Sequence, residues 1–277
     1  MANKKDSLGD RMKKYEGVSR NYLTRRVPVI IRLDGKAFHT FTKGFKKPFD
    51  EVLTAAMQDT MKYLCENIQG CVFGYTQSDE ITLVLTDYTT LTTDSWFGYN
   101  IQKMASVSAS MATLAFNRAF KEQMRHFFIR NSAINQKERR VDFNSEEDKE
   151  QCRRYSKAIT KDALFDSRVF TLPKEEVCNC LIWRQQDAIR NSIEAAGQAF
   201  YSAKELHKKN QANILEMLLE RGIDWEDYPH CMKYGSCCYK QIVGIPMEDR
   251  IIERRRWVVD KCPPIFSKER EYVEVWL

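Results

Sequence analysis

Two short acidic motifs, Asp34-Gly35 and Asp79-Glu80, have the residue types and the setting to do chemistry. The first closes an apolar, β-branched run at 27–33 (VPVIIRL), which reads as a buried strand ending in a turn. The second falls between two β-rich runs, 71–76 (CVFGYT) and 81–86 (ITLVLT), separated only by Gln77, Ser78, Asp79 and Glu80, a hairpin-length connection. Carboxylates brought together at strand ends repel one another and raise each other's pKa, so their convergence favours a hard cation. Mg²⁺ held by one or two carboxylates, with waters and substrate phosphates completing its shell, would suit such a site. Two such ions can activate an attacking hydroxyl and neutralise a leaving phosphate. Asp34 and Asp79 would instead be chemically idle if chosen for the Asx geometry of turns. Spacing alone leaves both readings open.

The elements that would position these acids follow from periodicity. Behind Asp50 as N-cap, Val52, Leu53, Ala56, Met57, Thr60, Met61 and Leu64 repeat at helical spacing. Asp94 and Ser95 are placed to cap a second helix running through about Lys121, its apolar stripe including Trp96, Ile101, Met104, Val107, Met111 and Leu114. Residues 167–172 (SRVFTL) read as a fourth strand, and Pro173 with Glu175 and Glu176 opens a helix toward Ala196. The order strand, helix, strand, strand, helix, strand is the split βαβ pattern of a ferredoxin-like, α+β palm. In it the third strand lies between the first two and antiparallel to both. The end of strand one then adjoins the start of strand three, about 5 Å away, bringing Asp34 to Asp79 and Glu80. The charge-rich stretch 125–166 reads as an insertion with some helix, and 201–277 as a helical, then irregular, extension of one elaborated catalytic domain spanning 1–277, with its core at 20–200.

Bulk properties set bounds. With 43% hydrophobic and 30% charged residues among 277, the chain is too apolar to be disordered and long enough to bury a large core. Its polar start (MANKKDSLGDRMKKYEG) has no apolar signal region and no later stretch has the length of a membrane helix, which points to a cytoplasmic protein. Nine cysteines, an odd number, read as reduced thiols used mostly for packing. His230, Cys231, Cys237 and Cys238 fit no common zinc spacing. A net charge of +6 permits an anionic partner, and basic residues cluster at 137–140 (KERR), 208–209 and 254–256.

The segments IIRLDGKAFHTF (30–41), KKPFD (46–50), GYTQSDEITLVL (74–85) and WFGYNIQKMASVSAS (96–110) together resemble the tRNA-histidine guanylyltransferase family and its tRNA-repairing relatives, over roughly residues 20–215. The resemblance implies that Asp34 and Asp79, with the Gly35 carbonyl, hold two Mg²⁺ ions, and that Glu80 is also required for activity. It implies a nucleotide-triphosphate site in the turn Gly35, Lys36, Ala37, Phe38 and His39, with Lys47, Asp50, Ser78 and Lys103 near bound nucleotides, Lys103 on triphosphate. It further implies tRNA and nucleoside triphosphates as substrates, ATP or GTP as activating nucleotide, and a homotetramer. The stretch WRQQDAIRNSIEAAG (183–197) departs from the family's eukaryotic branch, whose HINNLYN signature would begin where Ile189 stands; its histidine is absent. Chains lacking it resemble the repair branch, which extends 5′-truncated tRNA in the 3′–5′ direction by copying the opposite strand. Arg184, Gln185 and Arg190 are then available for phosphate or RNA, or belong to an amphipathic helix surface.

Two other classes share this element order. An RNA-recognition module would stack bases on exposed aromatics of strands one and three, but VPVIIRL and ITLVLT contain none. A cyclase or a 5′–3′ polymerase of palm type would use the same carboxylates, and the local motifs favour the tRNA family over both.

Overall fold

The computed structural model describes residues 7–135, 140–247 and 250–277, with the side chains of 134–140 and 245–252 outside that description. The basic run at 137–140 falls among the latter. Helix α1 (Ser7–Val18) precedes β1 (Val29–Gly35), the single helical turn α2 (Phe38–Phe41) and α3 (Glu51–Asn67). The hairpin of β2 (Cys71–Gln77) and β3 (Glu80–Leu85) leads to the long α4 (Ile101–Asn131). A small ribbon of β4 (Ser132–Asn135) and β5 (Arg140–Phe143), then α5 (Glu146–Ile159), β6 (Phe165–Thr171) and α6 (Lys174–Phe200) follow. The chain continues through α7 (Ala203–Leu206), α8 (Gln211–Glu220), α9 (His230–Tyr234), β7 (Ser236–Met247), β8 (Arg250–Asp260) and α10 (Glu271–Glu274).

Six strands form one antiparallel sheet in the order β6-β1-β3-β2-β7-β8. Its first four strands are the α+β palm arrangement expected from the sequence, with β3 between β1 and β2. Strand alternation divides the core between the two faces. Val29, Ile31 and Leu33 point to the larger cluster, under α3 and α4, with Met57, Met61, Phe116 and Phe120. Ile30 and Val84 point the other way, under α6, with Phe73, Tyr75, Val177 and Leu181. A third, small cluster joins the end of α6 to α8 through Ile193, Ala196, Ile214 and Leu218.

Three local differences from the sequence reading have physical causes. Helix α4 begins at Ile101 and not after Ser95, because the Asn100 side chain takes the Lys103 amide at 2.9 Å as the cap. The preceding residues 96–99 form a 3-10 turn in which Phe97, Gly98 and Tyr99 have positive φ, a conformation that cannot continue an α-helix. The stretch 125–166 packs into the main core: Cys152, Tyr155 and Ala158 of α5 join the larger cluster, and the Tyr155 hydroxyl donates to the buried Asp50 at 2.7 Å. Finally, the segment expected to be irregular after the C-terminal helices contains the β7–β8 hairpin, which pairs with β2 and extends the sheet. Cys237 and Cys238 sit in its buried part and belong to opposite core clusters, so they do not converge on a common ligand. All nine cysteines are free.

The aromatic centre of the larger cluster lies directly behind the turn that follows β1. Phe116, fully buried, contacts the rings of Phe38, Phe41, Phe120 and Phe165 at centroid distances of 5.2–5.8 Å. Phe116→Ala is expected to cost about 3–5 kcal/mol, with some of it coming from the cavity left behind. A urea-unfolding midpoint unchanged from wild type would contradict this.

Candidate active site

The register of the sheet brings the acids together. Asp34 of β1 and Glu80 of β3 are direct cross-strand partners, so their side chains stand on the same face. Asp79 occupies the tight turn before Glu80, and its carbonyl accepts the Gly35 amide at 3.0 Å, tying the two acidic motifs together through the backbone. Both turns hold a non-glycine residue in the left-handed region: Ala37 at φ 53° and Ser78 at φ 49°. Each such residue costs of order 1 kcal/mol, and strain of this kind concentrates at functional sites. Gly35 has to be glycine for a steric reason, since an added Cβ would meet the Phe38 ring at 2.3 Å.

The three carboxylates are treated differently by their surroundings. Glu80 is buried, which pushes its pKa up, while Arg184 works in the opposite direction through an ion pair of 2.6 Å. Arg184 also binds Asp187 at 2.7 Å, and Arg32 stands 4.0 Å from the second oxygen of Glu80. Burial and then the charge of Asp34 raise the pKa of Asp79, against a hydrogen bond of 3.1 Å from the Ser78 hydroxyl. Among the described residues, no basic side chain forms an ion pair with Asp34 or Asp79. The site therefore holds one internally neutralised carboxylate and two that repel each other.

Beside these acids a cleft of about 400 Å³ opens between the Gly35 turn and the Ser78 turn. Gly35, Ala37, Phe38, His39, Ser78 and Asp79, all singled out from sequence, line it together with Thr42 and Leu53. Leu53 and Ser78 also line an adjoining cavity of about 150 Å³ that reaches Asp50, Gln77, Asn191 and Ser192. The amides of Gly35 and Lys36 are used within the protein, on Asp79 and Leu164, which leaves the later amides of this turn for a ligand.

Other expected residues lie elsewhere. Lys47 is exposed and outside the cleft, and Asp50 is the buried N-cap of α3, accepting the Leu53 and Lys46 amides and the Tyr155 hydroxyl. Lys103 is exposed on the first turn of α4, its ammonium 6.0 Å from the Phe97 ring, and it lines neither cavity. The expectation that Arg184 and Gln185 are open to RNA is corrected. Both are buried; Arg184 is spent on Glu80 and Asp187, and Gln185 clasps the Pro264 carbonyl and the Phe266 amide. Arg190 is at the surface, ion-paired to Asp187. Sequence reasoning missed Arg32, although alternation along IIRLDG puts it on the same face as Asp34. It also missed Asp187, which no motif marked.

The fold and the carboxylate site define a palm-like nucleotidyltransferase. Residues 9–173 match the tRNAHis guanylyltransferase family, Thg1, and the chain belongs to it. It is similar, at 42% identity and a TM-score of 0.77 over 98% of both chains, to a bacterial tRNA(His) guanylyltransferase-like protein solved in complex with ATP. A structure of such a bacterial protein in complex with GTP matches at 40% identity, with a TM-score of 0.75 over 98% of this chain and 99% of that one. A probable tRNA(His) guanylyltransferase of Dictyostelium discoideum is 25% identical over 270 residues, which is 91% of this chain and 92% of that one. The Saccharomyces cerevisiae enzyme, at 20% identity and a TM-score of 0.61 over 93% and 97% of the two chains, shares the fold.

The burial of Asp79, together with the nearby charge of Asp34, has a measurable consequence. The pKa of Asp79 is raised in the folded protein, so the stability linked to it is fully present below the unfolded carboxylate range. That stability is lost as pH rises through the folded value. In buffer free of divalent cations, Asp79→Asn should therefore be more stable than wild type at pH 7, by roughly 0.5–2 kcal/mol. The gain should shrink toward zero as pH falls and wild-type Asp79 takes up its proton, which it does above the ordinary aspartate range. A difference that stays constant with pH would show that the charge of Asp79 is not its source.

Proposed function

We propose that this nucleotidyltransferase extends the 5′ end of 5′-shortened tRNA in the 3′–5′ direction, choosing each nucleotide by pairing with the opposing base. The observation that carries the reading is the pair Asp34 and Asp79, adjacent, mutually repelling and without a cationic partner among the described residues. Their chemistry fits Mg²⁺. Among the described residues no set of three His, Cys, Asp or Glu side chains could enclose a metal, and Mg²⁺ does not need one when water and substrate phosphates complete its shell. Asp34, Asp79 and the Gly35 carbonyl would hold two ions, which when bound supply neutralisation of the phosphates and activation of the attacking hydroxyl.

The protein's own part is positioning. The turn Ala37 to His39 and Ser78 border the cleft where a triphosphate would lie, and bacterial relatives solved in complex with ATP and with GTP support the use of nucleotides. Glu80, locked by Arg184, keeps the start of β3 in place beside Asp34. In the reaction, the 3′-hydroxyl of the incoming nucleotide attacks the α-phosphate of a 5′-triphosphorylated or adenylylated tRNA end. A new phosphodiester forms, the bond to pyrophosphate or AMP breaks, and the hydroxyl proton is released. Pairing with the template base holds that hydroxyl in line, and a mispaired nucleotide loses the orientation on which the rate depends. The tetramer implied by the family belongs to the same reading.

Asp34→Ala and Asp79→Ala should each abolish nucleotide addition to a 5′-labelled tRNA lacking one nucleotide while leaving the circular dichroism spectrum unchanged. Near-normal activity of either with Mg²⁺ would refute the metal assignment. Direction and template are tested with tRNAs that differ only at the base opposite the missing position. Addition should follow the complementary nucleotide in each case. Addition of G whatever the opposing base would assign the chain to the histidine-specific activity.

A further inference from the structure

On the sheet face that carries Asp34 and Glu80, the core under α6 is built on β1, β2, β3 and β7, with Phe170 of β6 packed against it, and the part of the edge strand β6 beside the site, at Asp166 and Arg168, is exposed. Asp166 and Arg168 of β6 are exposed although they are the cross-strand partners of Asp34 and Arg32. Arg32 and Arg168 therefore lie side by side, one pleat repeat or about 7 Å along the strands from the Asp34 carboxylate. Trp183 of α6 stands over Arg32. Half of its surface is open to solvent, at 50% exposure, and the guanidinium groups of Arg32 and Arg184 lie 5.5 and 4.4 Å from its ring centre. Arg190, seven residues further along α6 and so on the same side of the helix, is also exposed.

The charges in this lane are not equally committed. Arg184 is consumed by Glu80 and Asp187. Arg32 is not: its nearest carboxylate oxygen is 4.0 Å away, and its buried Nε has no hydrogen-bond partner. Among the described residues, Arg168 meets only Asp166, at 3.6 Å between two half-exposed side chains, a contact of little worth in water. A half-exposed indole beside under-used guanidinium groups, on the sheet face that carries the acids, combines a stacking surface with phosphate contacts. Proteins that hold single-stranded nucleic acid use that combination.

We infer that Trp183 is a stacking platform for a nucleobase of the RNA strand whose end reacts at Asp34, with Arg32 and Arg168 receiving the adjoining phosphate. The inference rests on the reading of this site as one that extends RNA. It assigns the open β6 side to the polynucleotide, while the cleft between the Gly35 and Ser78 turns is left to the mononucleotide. It also gives the exposed tryptophan a role in positioning: a base held on the indole fixes the strand one step from the reacting phosphate.

The test uses the full chain as wild type, Trp183→Ala, Trp183→Phe and Arg168→Gln. Each is checked for folding by thermal melt. Affinity for a 5′-shortened tRNA is measured by anisotropy, and the Michaelis constant for the nucleoside triphosphate is measured in the extension reaction. Loss of one stacked base should weaken tRNA binding of Trp183→Ala roughly tenfold. Trp183→Phe should recover most of that loss, and the nucleotide Michaelis constant should stay unchanged. Arg168→Gln should lower the salt dependence of binding by about one phosphate contact. Unchanged tRNA affinity in Trp183→Ala, or no recovery with phenylalanine, would overturn the platform. A raised nucleotide Michaelis constant with unchanged tRNA affinity would overturn it too, by giving the indole to the incoming nucleotide. Should the alanine variant not fold, Arg168→Gln still decides, since wild-type affinity with an unchanged salt slope in that variant refutes the lane. Binding is measured apart from turnover, so tRNA that binds wild type and is never extended would count against the proposed activity and not against the platform.

Discussion

Like charges brought to one end of one sheet are the constraint around which this molecule is arranged. Cross-strand pairing leaves Asp34 and Glu80 no choice but to share a face, and the Gly35–Asp79 backbone hydrogen bond brings in the third acid. Here Glu80 is neutralised from outside the sheet, by an arginine on α6 that is itself buried and held by Asp187. A buried ion pair of this kind adds little net stability compared with an apolar substitute, but removing one partner strands a charge. Its use is specificity of position: it fixes which acid is satisfied internally and leaves Asp34 and Asp79 without an ion-pair partner among the described residues.

The support for that arrangement comes from hydrophobic packing behind it. The Phe38 ring fills the space where a Cβ at Gly35 would stand, and it packs in turn on Phe41, Phe116 and Phe165. A turn with a left-handed alanine persists because this cluster over-determines the chain on either side of it. The same cluster reaches α5 through Phe45 and Tyr155, whose hydroxyl completes the cap of α3 at Asp50. Residues that look like candidate ligands by motif, Asp50 above all, thus act on the site by holding the helix that lines it.

How much of this was legible in the sequence depends on the range of the interaction that decides each element. β1, β2, β3, β6 and α3 are set by local periodicity and a local cap, and their placement followed from VPVIIRL, CVFGYT, ITLVLT, SRVFTL and Asp50. The convergence of Asp34, Asp79 and Glu80 followed from topology alone. The β7–β8 hairpin was not legible: its pairing partner, β2, lies some 160 residues earlier in the sequence, as Phe73 with Tyr239, and among its described residues Gln241, Ile242 and Glu253–Arg256 are exposed. The start of α4 was missed because Asp94-Ser95 and Asn100 are equally good caps locally, and positive φ at 97–99 decides between them. The fate of Arg184 was hidden for a similar reason, since a charge on an amphipathic helix reads as surface unless its buried partner is known.

The C-terminal segment, which carries no chemical motif, turns out to be coupled to the acids through one short stretch of α6. Gln185 follows Arg184 and is clamped on both ends of its amide by Pro264 and Phe266. Phe266 is fully buried against Tyr75 of β2, and Val273 of α10 fills the same cluster. The chain after β8 therefore sets the depth and rotation of α6 over the sheet, and α6 in turn delivers the guanidinium that reaches Glu80. On this account the last residues of the chain are part of the scaffold of the site. A helix seated only by its apolar contacts could slide along the sheet, since such contacts are not directional. Two hydrogen bonds from a buried amide are directional, and misplacing them leaves polar groups unsatisfied in the interior. They convert a helix that merely covers the sheet into one whose arginine arrives at a defined point beside a carboxylate.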